Sequence, residues 1–349
     1  MPEPRAPAVT VVVCSYNGAT TIGACLEALE RQSVRDLAQV VVVDDGSTDG
    51  TGDIARSFGF DVVVHPVNLG ISRARNSGIA VASAPVVAFT DDDCIPDDRW
   101  LEALLSGHRR EGVVAVGGPV EIYRVETLVH QYFVEYNPLA PLEVELAKHS
   151  SLLARVGLYL RRMWLPRTDA EARAVYSFAG ANMSFKKEAL DAIGGFDERM
   201  TFGADDEYVC AKVRERFPRS PLLFEPDAVI RHDYAGTLSD LLRRNFSYGR
   251  GHARAYLLGS EHRWPIVFPL PMAVVVCGAL LGRRKWVVLL PVLALFLFPQ
   301  GPRSAVRHRN PAYLTFSFLR LLEETAHNAG MLSGLLAGAS PRRRDGYEA

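Results

Sequence analysis

The sequence lacks several features that would place it in familiar classes of protein. It has five scattered cysteines without a C-x-x-C pair or a metal-like cluster: Cys14, Cys25, Cys94, Cys210 and Cys277. This pattern is typical of buried thiols in a reducing compartment rather than of a disulfide framework. No G-x-G-x-x-G follows the first predicted strand, which excludes a nicotinamide-dependent dehydrogenase. The N-terminus, MPEPRAPAVT, has no apolar stretch, so we expect no cleaved signal peptide.

The chain also has almost no net charge, but its two parts carry opposite charges. The formal net charge of the 349 residues is -1, which excludes a globally basic nucleic-acid binder and predicts no nucleic-acid partner. Residues 231–349 hold 16 Lys and Arg against 7 Asp and Glu, so residues 1–230 have a net charge of -10. This division predicts a soluble catalytic part followed by a membrane-facing part.

Strand and helix patterns alternate through the first hundred residues. Apolar runs predict buried strands at 9–14 and 40–43 and two further strands at 61–65 and 85–90, and helices are predicted at 20–32, 51–58 and 72–82. Such alternation indicates right-handed βαβ units and a parallel sheet, whose strands end in polar residues where open α/β sheets bind ligands. Further along, Leu142–Met163 predicts a long helix and Tyr208–Phe217 a shorter one.

The C-terminal third contains two uncharged apolar segments. Trp264–Leu281 and Trp286–Pro302 flank the basic turn 282–285. A helix of the first segment's length spans roughly 27 Å, close to the thickness of a bilayer core. The turn and both outer flanks are basic, so all of them favour the cytoplasmic side. We therefore expect a monotopic or re-entrant anchor, followed by a helix over Tyr313–Leu336 that lies along the membrane surface. A buried hairpin in a soluble core is the alternative.

Two acidic motifs follow predicted strands. Asp44 and Asp45 open D-D-G-S-T-D-G-T, where carboxylates can accept hydrogen bonds from a nucleobase and a ribose, and where Ser47 or Thr48 can cap the next helix. Three adjacent carboxylates, Asp91, Asp92 and Asp93, repel one another unless a cation neutralises them. Oxygen ligands of this kind suit Mg²⁺ or Mn²⁺ together with substrate phosphates. Solvated acidic turns are the alternative for both motifs.

Two further motifs add a cation and a candidate base. Arg75, in A-R-N, places a guanidinium near the same sheet edge, where it can bind phosphate through two parallel hydrogen bonds. Asp205 and Asp206 open the predicted helix that contains Tyr208. A carboxylate there can deprotonate an acceptor hydroxyl, or it can simply favour the helix dipole.

Seven motifs occur in one order over residues 10–207. They are C-S-Y-N, D-D-G-S-T-D-G-T, N-x-G-x-x-x-A-R-N, D-D-D-C-I-P, G-A-N-M-S-F, G-G-F-D-E and G-x-D-D-E. This ordered set resembles the family-2 glycosyltransferases. The resemblance implies a GT-A, Rossmann-like fold with a mostly parallel sheet flanked by helices. It also implies inverting transfer of a sugar from a nucleoside-diphosphate donor to a hydroxyl acceptor, helped by Mg²⁺ or Mn²⁺.

The resemblance also implies roles for particular residues. Donor contacts would come from Ser15, Tyr16, Asn17, Asp44, Asp45, Arg75 and Asp92. Asp91 and Asp93 match the acids of the family's D-x-D motif, and His232 resembles a late histidine that completes the metal-diphosphate site in some relatives. Asp205 matches the catalytic base, although Ala204 stands where the family usually has Glu, which leaves Asp206 as the alternative base. The Q-x-x-R-W motif of processive synthases is absent, which favours addition of one or a few sugars.

The predicted organisation combines these features. A GT-A catalytic domain covers 1–230, with a nucleotide-sugar half at 1–100 and an acceptor half at 101–230. A basic linker or helix follows at 231–263, a membrane-associated helical region at 264–338 and a polar tail at 339–349. We expect the catalytic domain on the cytoplasmic face of the cell membrane, acting on a lipid-linked or cell-envelope glycan acceptor. The alternatives are a metal-dependent nucleotidyltransferase and a catalytically silent membrane adaptor with the same fold.

Overall fold

A computed structural model of the chain describes residues 6–137, 139–140, 142–143, 170–259 and 290–338, with six further positions between 151 and 164. These residues belong to two compact units. The first comprises Met1–Thr201 and Asp205–Gly236, and the second comprises Phe202–Ala204 and Thr237–Ala349. The predicted segment Trp264–Leu281, the basic turn after it and the polar tail lie outside the described residues.

The first unit is built on a large sheet. Its nine described strands lie in the order β3-β2-β1-β4-β10-β6-β11-β9-β8. The strands are β1 (Val9–Ser15), β2 (Ala38–Asp44), β3 (Asp61–Val64), β4 (Val86–Asp91), β6 (Ala115–Gly117), β8 (Leu142–Glu143), β9 (Arg173–Ser177), β10 (Met183–Lys186) and β11 (Leu222–Phe224). All contacts among β1 to β4 are parallel, as the alternating pattern predicted, whereas β10 is antiparallel to both β4 and β6. The α/β class is therefore confirmed.

Three short strands form a second sheet beside the first. They are β5 (Cys94–Pro96), β7 (Val120–Ile122) and β12 (Ile230–His232), in the order β5-β12-β7. β12 is antiparallel to β5 and parallel to β7. This small sheet joins the residues just after the third acid of D-D-D-C-I-P to the strand that contains His232.

Helices cover both faces of the large sheet. In the first unit they are α1 (Ile22–Glu30), α2 (Thr51–Ser57), α3 (Ile71–Val81), α4 (Trp100–His108), α5 (Leu128–Glu135), α6 (Lys187–Ile193) and α7 (Asp205–Arg216). Alternate residues of β1 face opposite sides. Val11 and Val13 belong to the core cluster that contains Leu26 of α1, whereas Val12 belongs to the cluster that contains Ile79 of α3. Burial on both faces explains why residues 9–13 of β1 are all β-branched, with valine at four of the five positions.

One predicted helix is wrong at its start. Leu142–Met163 was predicted to be helical, but Leu142 and Glu143 form strand β8, which pairs antiparallel with β9. Apolar residues at helical spacing do not distinguish a helix from a short strand when neighbouring strands offer a free edge. In the rest of that prediction the structure describes five positions, of which 153, 157, 158 and 161 are helical.

The second unit is helical in its described part. Its helices are α8 (Leu238–Leu257), α9 (Leu290–Leu297), α10 (Gln300–Arg307) and α11 (Thr315–Gly338). α8 and α11 pack closely, since a Cβ on Gly249 would come within 1.9 Å of the His327 carbonyl oxygen. The described part of the predicted segment Trp286–Pro302 is split, because α9 ends before Pro299 and α10 begins after it. Searching the described helices finds none with the length and apolar character that a bilayer crossing requires.

Asn182 joins three segments of the first unit. Its side-chain oxygen accepts a hydrogen bond from Trp100 Nε1 at 2.9 Å, and its Nδ2 donates to the carbonyl oxygens of Pro119 and Ala228 at 2.9 and 2.7 Å. The residue is fully buried, so water cannot replace these partners. The asparagine of G-A-N-M-S-F is therefore a structural residue.

We expect Asn182→Ala to lower the free energy of unfolding by about 2–5 kcal/mol, because a buried donor and two buried acceptors lose their partners. Denaturation with urea, followed by circular dichroism, measures this change. Asn68→Ala is the matched control, since Asn68 is exposed and surface changes cost less than about 0.5 kcal/mol. Equal stabilities for the two variants would contradict the role assigned to Asn182.

Candidate active site

The carboxyl ends of β1, β2 and β4 bring the first motifs to one edge of the sheet. In the parallel pairing, Ser15 lies beside Asp44, and Cys14 lies beside Asp91. Residues far apart in the sequence meet here because β1, β2 and β4 are parallel and their carboxyl ends therefore lie side by side. The structure therefore places D-D-G-S and D-D-D at one edge, on either side of C-S-Y-N.

The first two loops are joined by hydrogen bonds rather than left open. The Asn17 amide donates to Ser47 Oγ, and the Thr48 amide donates to Asn17 Oδ1, both at 2.9 Å. The Gly18 amide donates to Thr51 Oγ1 at 2.9 Å. Asn17 was predicted to contact the nucleotide-sugar donor, but in this structure its hydrogen bonds join the two loops. Its backbone has a positive φ of 55°. The predicted capping of α2 by Ser47 or Thr48 is wrong, because Gly50 is the N-cap and makes no side-chain hydrogen bond.

Asp44 and Asp45 have different surroundings. Asp45 accepts hydrogen bonds from the amides of Leu69 and Gly70 at 3.0 and 2.9 Å, and its Oδ1 lies 2.6 Å from His65 Nδ1. Both carboxylate oxygens of Asp45 thus accept hydrogen bonds from the protein, and they hold the loop before α3 in place. Asp44 accepts from the Ser47 amide at 2.9 Å. Of the two, Asp44 is the better placed for the predicted nucleoside contact.

Ser15 and Asp92 contact each other. Ser15 Oγ donates to Asp92 Oδ2, and Gly18 leaves room for that carboxylate, since a Cβ there would lie 1.7 Å from the same oxygen. Burial, followed by the neighbouring charge of Asp93, raises the pKa of Asp92 to about 7, and the Ser15 hydrogen bond opposes this rise. Both residues were predicted to contact the donor, and in this structure they hold the D-D-D turn against the first loop. Tyr16, predicted with them, is 39% exposed at the edge of the site.

Arg75 connects two of the predicted catalytic motifs. It lies on α3, is 3% exposed, and donates from Nη1 to Asp205 Oδ2, while its Nη2 lies 3.4 Å from Asp91 Oδ1. Gly180 permits this position, because a Cβ there would lie 2.7 Å from Nη2. Burial lowers the pKa of the Arg75 guanidinium, but the acidic partners, Asp205 first, together raise it above its ordinary value, so Arg75 remains charged. The structure thus brings Asp91, Arg75 and Asp205 together.

The neighbour of Arg75 fixes the segment that leads to Asp205. Asn76 donates from Nδ2 to the Phe196 carbonyl oxygen at 3.0 Å and accepts from the Phe196 amide at 2.9 Å. At the start of α3, the Ile71 amide donates to the Thr201 carbonyl oxygen at 3.2 Å. In the A-R-N motif, Arg75 therefore supplies a buried cation, and the next residue, Asn76, holds the backbone of G-G-F-D-E through two hydrogen bonds.

Asp205 and Asp206 begin α7 but face different partners. Asp205 is 7% exposed and pairs with Arg75; burial raises its pKa, while Arg75 acts in the opposite direction. Asp206 accepts from the Gly180 amide at 2.8 Å, so it supports the loop beside Arg75. Ala204, where the family usually has Glu, has a φ of 58° in the left-handed region. The geometry favours Asp205 as the reacting carboxylate, and Asp206 as its structural neighbour.

Asp206 should make stability depend on pH. Burial, with the charges of Asp205 and Glu207, raises its pKa from 3.8 to about 7. The folded chain then binds this proton more tightly than the unfolded chain does, so the stabilisation is lost as the pH rises from about 4 to about 7. We expect the free energy of unfolding of Asp206→Asn, relative to the wild type, to rise over that range, as measured by urea denaturation at several pH values. A constant difference would contradict the raised pKa.

Asp93, Cys94 and His232 form a cluster beside the arginine site. Asp93 Oδ1 lies 3.4 Å from His232 Nε2 and 3.7 Å from Cys94 Sγ, and the three ligand atoms lie within 4.8 Å of one another. His232 is 3% exposed and stacks on Tyr234 at a centroid distance of 4.0 Å. Burial, followed by the charge of Asp93, raises the pKa of Cys94 well above its ordinary value, so this side chain is a thiol that donates to Asp93.

The cluster fits a divalent cation. A carboxylate oxygen and an imidazole nitrogen at this separation can share one ion, and Asp93 is 28% exposed, which leaves room for water or a phosphate oxygen. The sequence predicted His232 as a metal ligand together with Asp91 and Asp93. The structure brings His232 to Asp93 and places Asp91 on Arg75. The sequence did not predict Cys94 in this cluster. Its position depends on the pairing of β5 with β12, and strands of three residues are too short to be recognised from a sequence pattern.

The motifs at the carboxyl ends of the parallel strands thus surround a buried arginine and a candidate metal pair. This arrangement is consistent with the resemblance found in the sequence. Residues 10–194, more than half of the chain, match the family described as "Glycosyl transferase family 2". The chain belongs to this family and is a glycosyltransferase, of enzyme class EC 2.4.

Two relatives support this assignment. The chain is 27% identical over 258 residues to glycosyltransferase AglE of Haloferax volcanii, covering 72% of this chain and 75% of AglE. It is 32% identical over 275 residues to the pre-mycofactocin glycosyltransferase of Mycobacterium tuberculosis, covering 76% of this chain and 52% of that protein. The chain therefore spans about half the length of this second relative.

The fold is also found in a solved structure. Mannosyltransferase PcManGT from Pyrobaculum calidifontis, in complex with GDP-Man and Mn²⁺, superposes with a TM-score of 0.60 at 23% sequence identity. The match covers 93% of this chain and 87% of that one. At this identity the likeness establishes the GT-A-like fold.

Proposed function

We propose that the protein transfers a sugar, with inversion, from a nucleoside-diphosphate donor to a hydroxyl acceptor. The observation that carries the proposal is the position of Arg75, buried between Asp91 and Asp205. A guanidinium suited to phosphate and a carboxylate suited to proton removal thus lie in direct contact. The solved mannosyltransferase of the same fold, captured with GDP-Man and Mn²⁺, supports a nucleotide-sugar donor and a divalent cation.

A Mg²⁺ or Mn²⁺ ion held by Asp93 and His232, with Asp91 nearby, would neutralise charge on the leaving diphosphate. Arg75 contributes a buried positive charge to the same leaving group. Asp44 holds the nucleoside side of the donor at the neighbouring loop. These residues position the donor so that its anomeric carbon faces Asp205.

Asp205 removes the proton of the attacking hydroxyl. In this structure it is paired with Arg75, which neutralises it. Donor phosphates offer the guanidinium two strong acceptors, and transfer of Arg75 to them releases the carboxylate for the incoming acceptor. A single displacement from the face opposite the leaving group inverts the anomeric configuration.

Donor binding is tested by thermal stabilisation. A ligand that binds only the native chain stabilises it by RT ln(1 + L/Kd), where L is the free ligand concentration, and this stabilisation raises the apparent melting temperature. We expect one nucleoside diphosphate, among the uridine, guanosine, adenosine and thymidine forms, to stabilise the protein when Mn²⁺ or Mg²⁺ is present. The shift should disappear in excess chelator. No shift with any nucleotide, or equal shifts with and without metal, would contradict the proposal.

The second unit supports a membrane-associated acceptor. Val292, Phe296 and Val306 are 63%, 64% and 80% exposed on α9 and α10. Arg303 and Arg307 lie on the same short helix as Val306 and are exposed. Apolar side chains beside basic ones suit an anionic lipid surface. We propose that this unit forms a monotopic or re-entrant anchor on the cytoplasmic face, which brings the site to a lipid-linked or cell-envelope glycan.

The anchor predicts where the basic turn 282–285 lies. In a cysteine-free background, Arg284→Cys should resist a membrane-impermeant thiol reagent in intact cells and react once the cells are opened. Asp98→Cys, at an exposed site of the catalytic unit, is the matched control and should behave in the same way. Labelling of Arg284→Cys in intact cells, with Asp98→Cys protected, would show that the turn crosses the membrane. A hairpin with two spans would then replace the proposed anchor.

A further inference from the structure

Strand pairing places a thiol beside the candidate metal ligands. In the antiparallel pair of β5 and β12, Cys94 lies directly opposite His232. Directly opposite residues project from the same face of a sheet, with their Cβ atoms roughly 4.5–5.5 Å apart. Asp93 precedes Cys94, and its carbonyl oxygen accepts from the Asp233 amide at 2.8 Å. The backbone itself therefore brings a sulfur, a nitrogen and an oxygen ligand together.

Two of the three ligand separations fit a tetrahedral ion, and the third, between Cys94 Sγ and a ring nitrogen of His232, is at most 4.8 Å. With Zn–N and Zn–O bonds of about 2.0–2.1 Å and a Zn–S bond of about 2.3 Å, tetrahedral geometry puts the O···N edge near roughly 3.3 Å and the O···S edge near roughly 3.5 Å. The observed Asp93–His232 and Asp93–Cys94 separations are 3.4 and 3.7 Å. Small side-chain rotations would complete a site whose fourth position stays open to water.

The ligand types also favour zinc. Mg²⁺ and Mn²⁺ prefer oxygen ligands, whereas a thiolate with an imidazole suits Zn²⁺, which binds such sites more tightly than Mn²⁺ does. We propose that Asp93, Cys94 and His232 form a Zn²⁺ site that competes with the activating cation for Asp93 and His232. The competition rests on the proposed function, whereas zinc binding itself does not. When zinc binds, the sulfur–zinc bond replaces the S–H bond of Cys94, and the proton passes to water.

The surroundings hold the three ligands in place before any ion binds. Cys94 is fully buried and His232 nearly so, and the His232 ring is stacked on Tyr234. Arg124 pairs with Asp233, the residue after His232. Little side-chain freedom remains to be lost on binding, which favours a tight complex. Zinc should thus inhibit transfer at concentrations far below those at which Mn²⁺ activates.

Zinc binding can be measured without donor or acceptor. Full-length protein, purified in detergent and stripped of metal, is titrated with Zn²⁺ against a chromogenic zinc indicator. We expect one Zn²⁺ per chain. Cys94→Ala should weaken binding by more than about 100-fold, since even loss of an outer-shell partner costs 10–100-fold. Cys210→Ala is the matched control, because Cys210 is equally buried but lies on α7.

Cobalt identifies the sulfur directly. Co²⁺ in the zinc site should show a thiolate charge-transfer band that Cys94→Ala lacks and Cys210→Ala retains. If the alanine variant does not fold, Cys94→Ser, which keeps the size of the side chain, replaces it in this experiment. Mn²⁺-dependent nucleotide binding shows whether each variant is folded. Zinc binding by a folded Cys94 variant at wild-type strength, or a cobalt complex without the thiolate band, would overturn the proposal. Those results would overturn the zinc site without affecting the proposed Mn²⁺-dependent transfer. Conversely, a protein that binds zinc but transfers no sugar would refute the proposed function and leave the zinc site standing.

Discussion

Asp205→Asn should lower the rate of sugar transfer by about 10²–10⁴-fold while nucleotide binding persists, because an amide cannot accept the proton of the attacking hydroxyl. The substitution keeps the shape of the side chain beside Arg75 and removes only its charge. Single-turnover transfer measures the chemical step, and the nucleotide-induced shift in melting temperature measures binding.

Asp206→Asn is the matched control for this prediction. It changes the neighbouring carboxylate in the same way, and its side-chain oxygen can still accept from the Gly180 amide. We expect this variant to transfer sugar within about tenfold of the wild-type rate. If Asp206→Asn were inactive and Asp205→Asn active, the base would be the next residue along the helix. If both lost nucleotide binding, the site itself would have been disrupted.

Asp93→Asn should lower transfer by a few orders of magnitude, as expected for loss of a ligand to a catalytic cation. The fold should survive, because Asp93 is partly exposed and no core residue is changed. In excess chelator the wild type should fall to the rate of the variant, and the variant should lose little more. Transfer rates measured with and without chelator for both proteins test this convergence.

Asp98→Asn is the control for Asp93→Asn, since Asp98 is an exposed acid of the same unit that pairs with Arg31 at 3.6 Å. It should keep wild-type activity and the wild-type response to the chelator. Normal transfer by metal-free wild-type protein would contradict the metal hypothesis. So would an Asp93→Asn variant that remains fully dependent on the added cation.

The nucleotide half of the fold could be predicted because its strands carry a strong local signal. The run predicted at 9–14 is β1 (Val9–Ser15), and the helix predicted at 72–82 is α3 (Ile71–Val81). Both faces of β1, β2 and β4 are largely buried, which favours runs of apolar and β-branched residues. The acidic motifs follow the strand ends, and parallel strands end at one edge.

The contacts within the site could not be predicted in the same way. β5 and β12 have three residues each, too few to show a period, yet their pairing decides that Cys94 faces His232. The bond between Arg75 and Asp205 joins residues 130 positions apart. Roles of Asn17, Asp45 and Asn182 depend on hydrogen-bond partners that no local pattern specifies.

The products of a single reaction test the central claim most directly. The nucleotide-sugar whose nucleotide gives the largest metal-dependent shift is incubated with the protein and an alcohol acceptor, and proton NMR follows the anomeric signal. The proposed inverting transfer requires release of the nucleoside diphosphate and a glycoside whose anomeric configuration is opposite to that of the donor. Release of pyrophosphate, or a product that retains the donor's configuration, would contradict it.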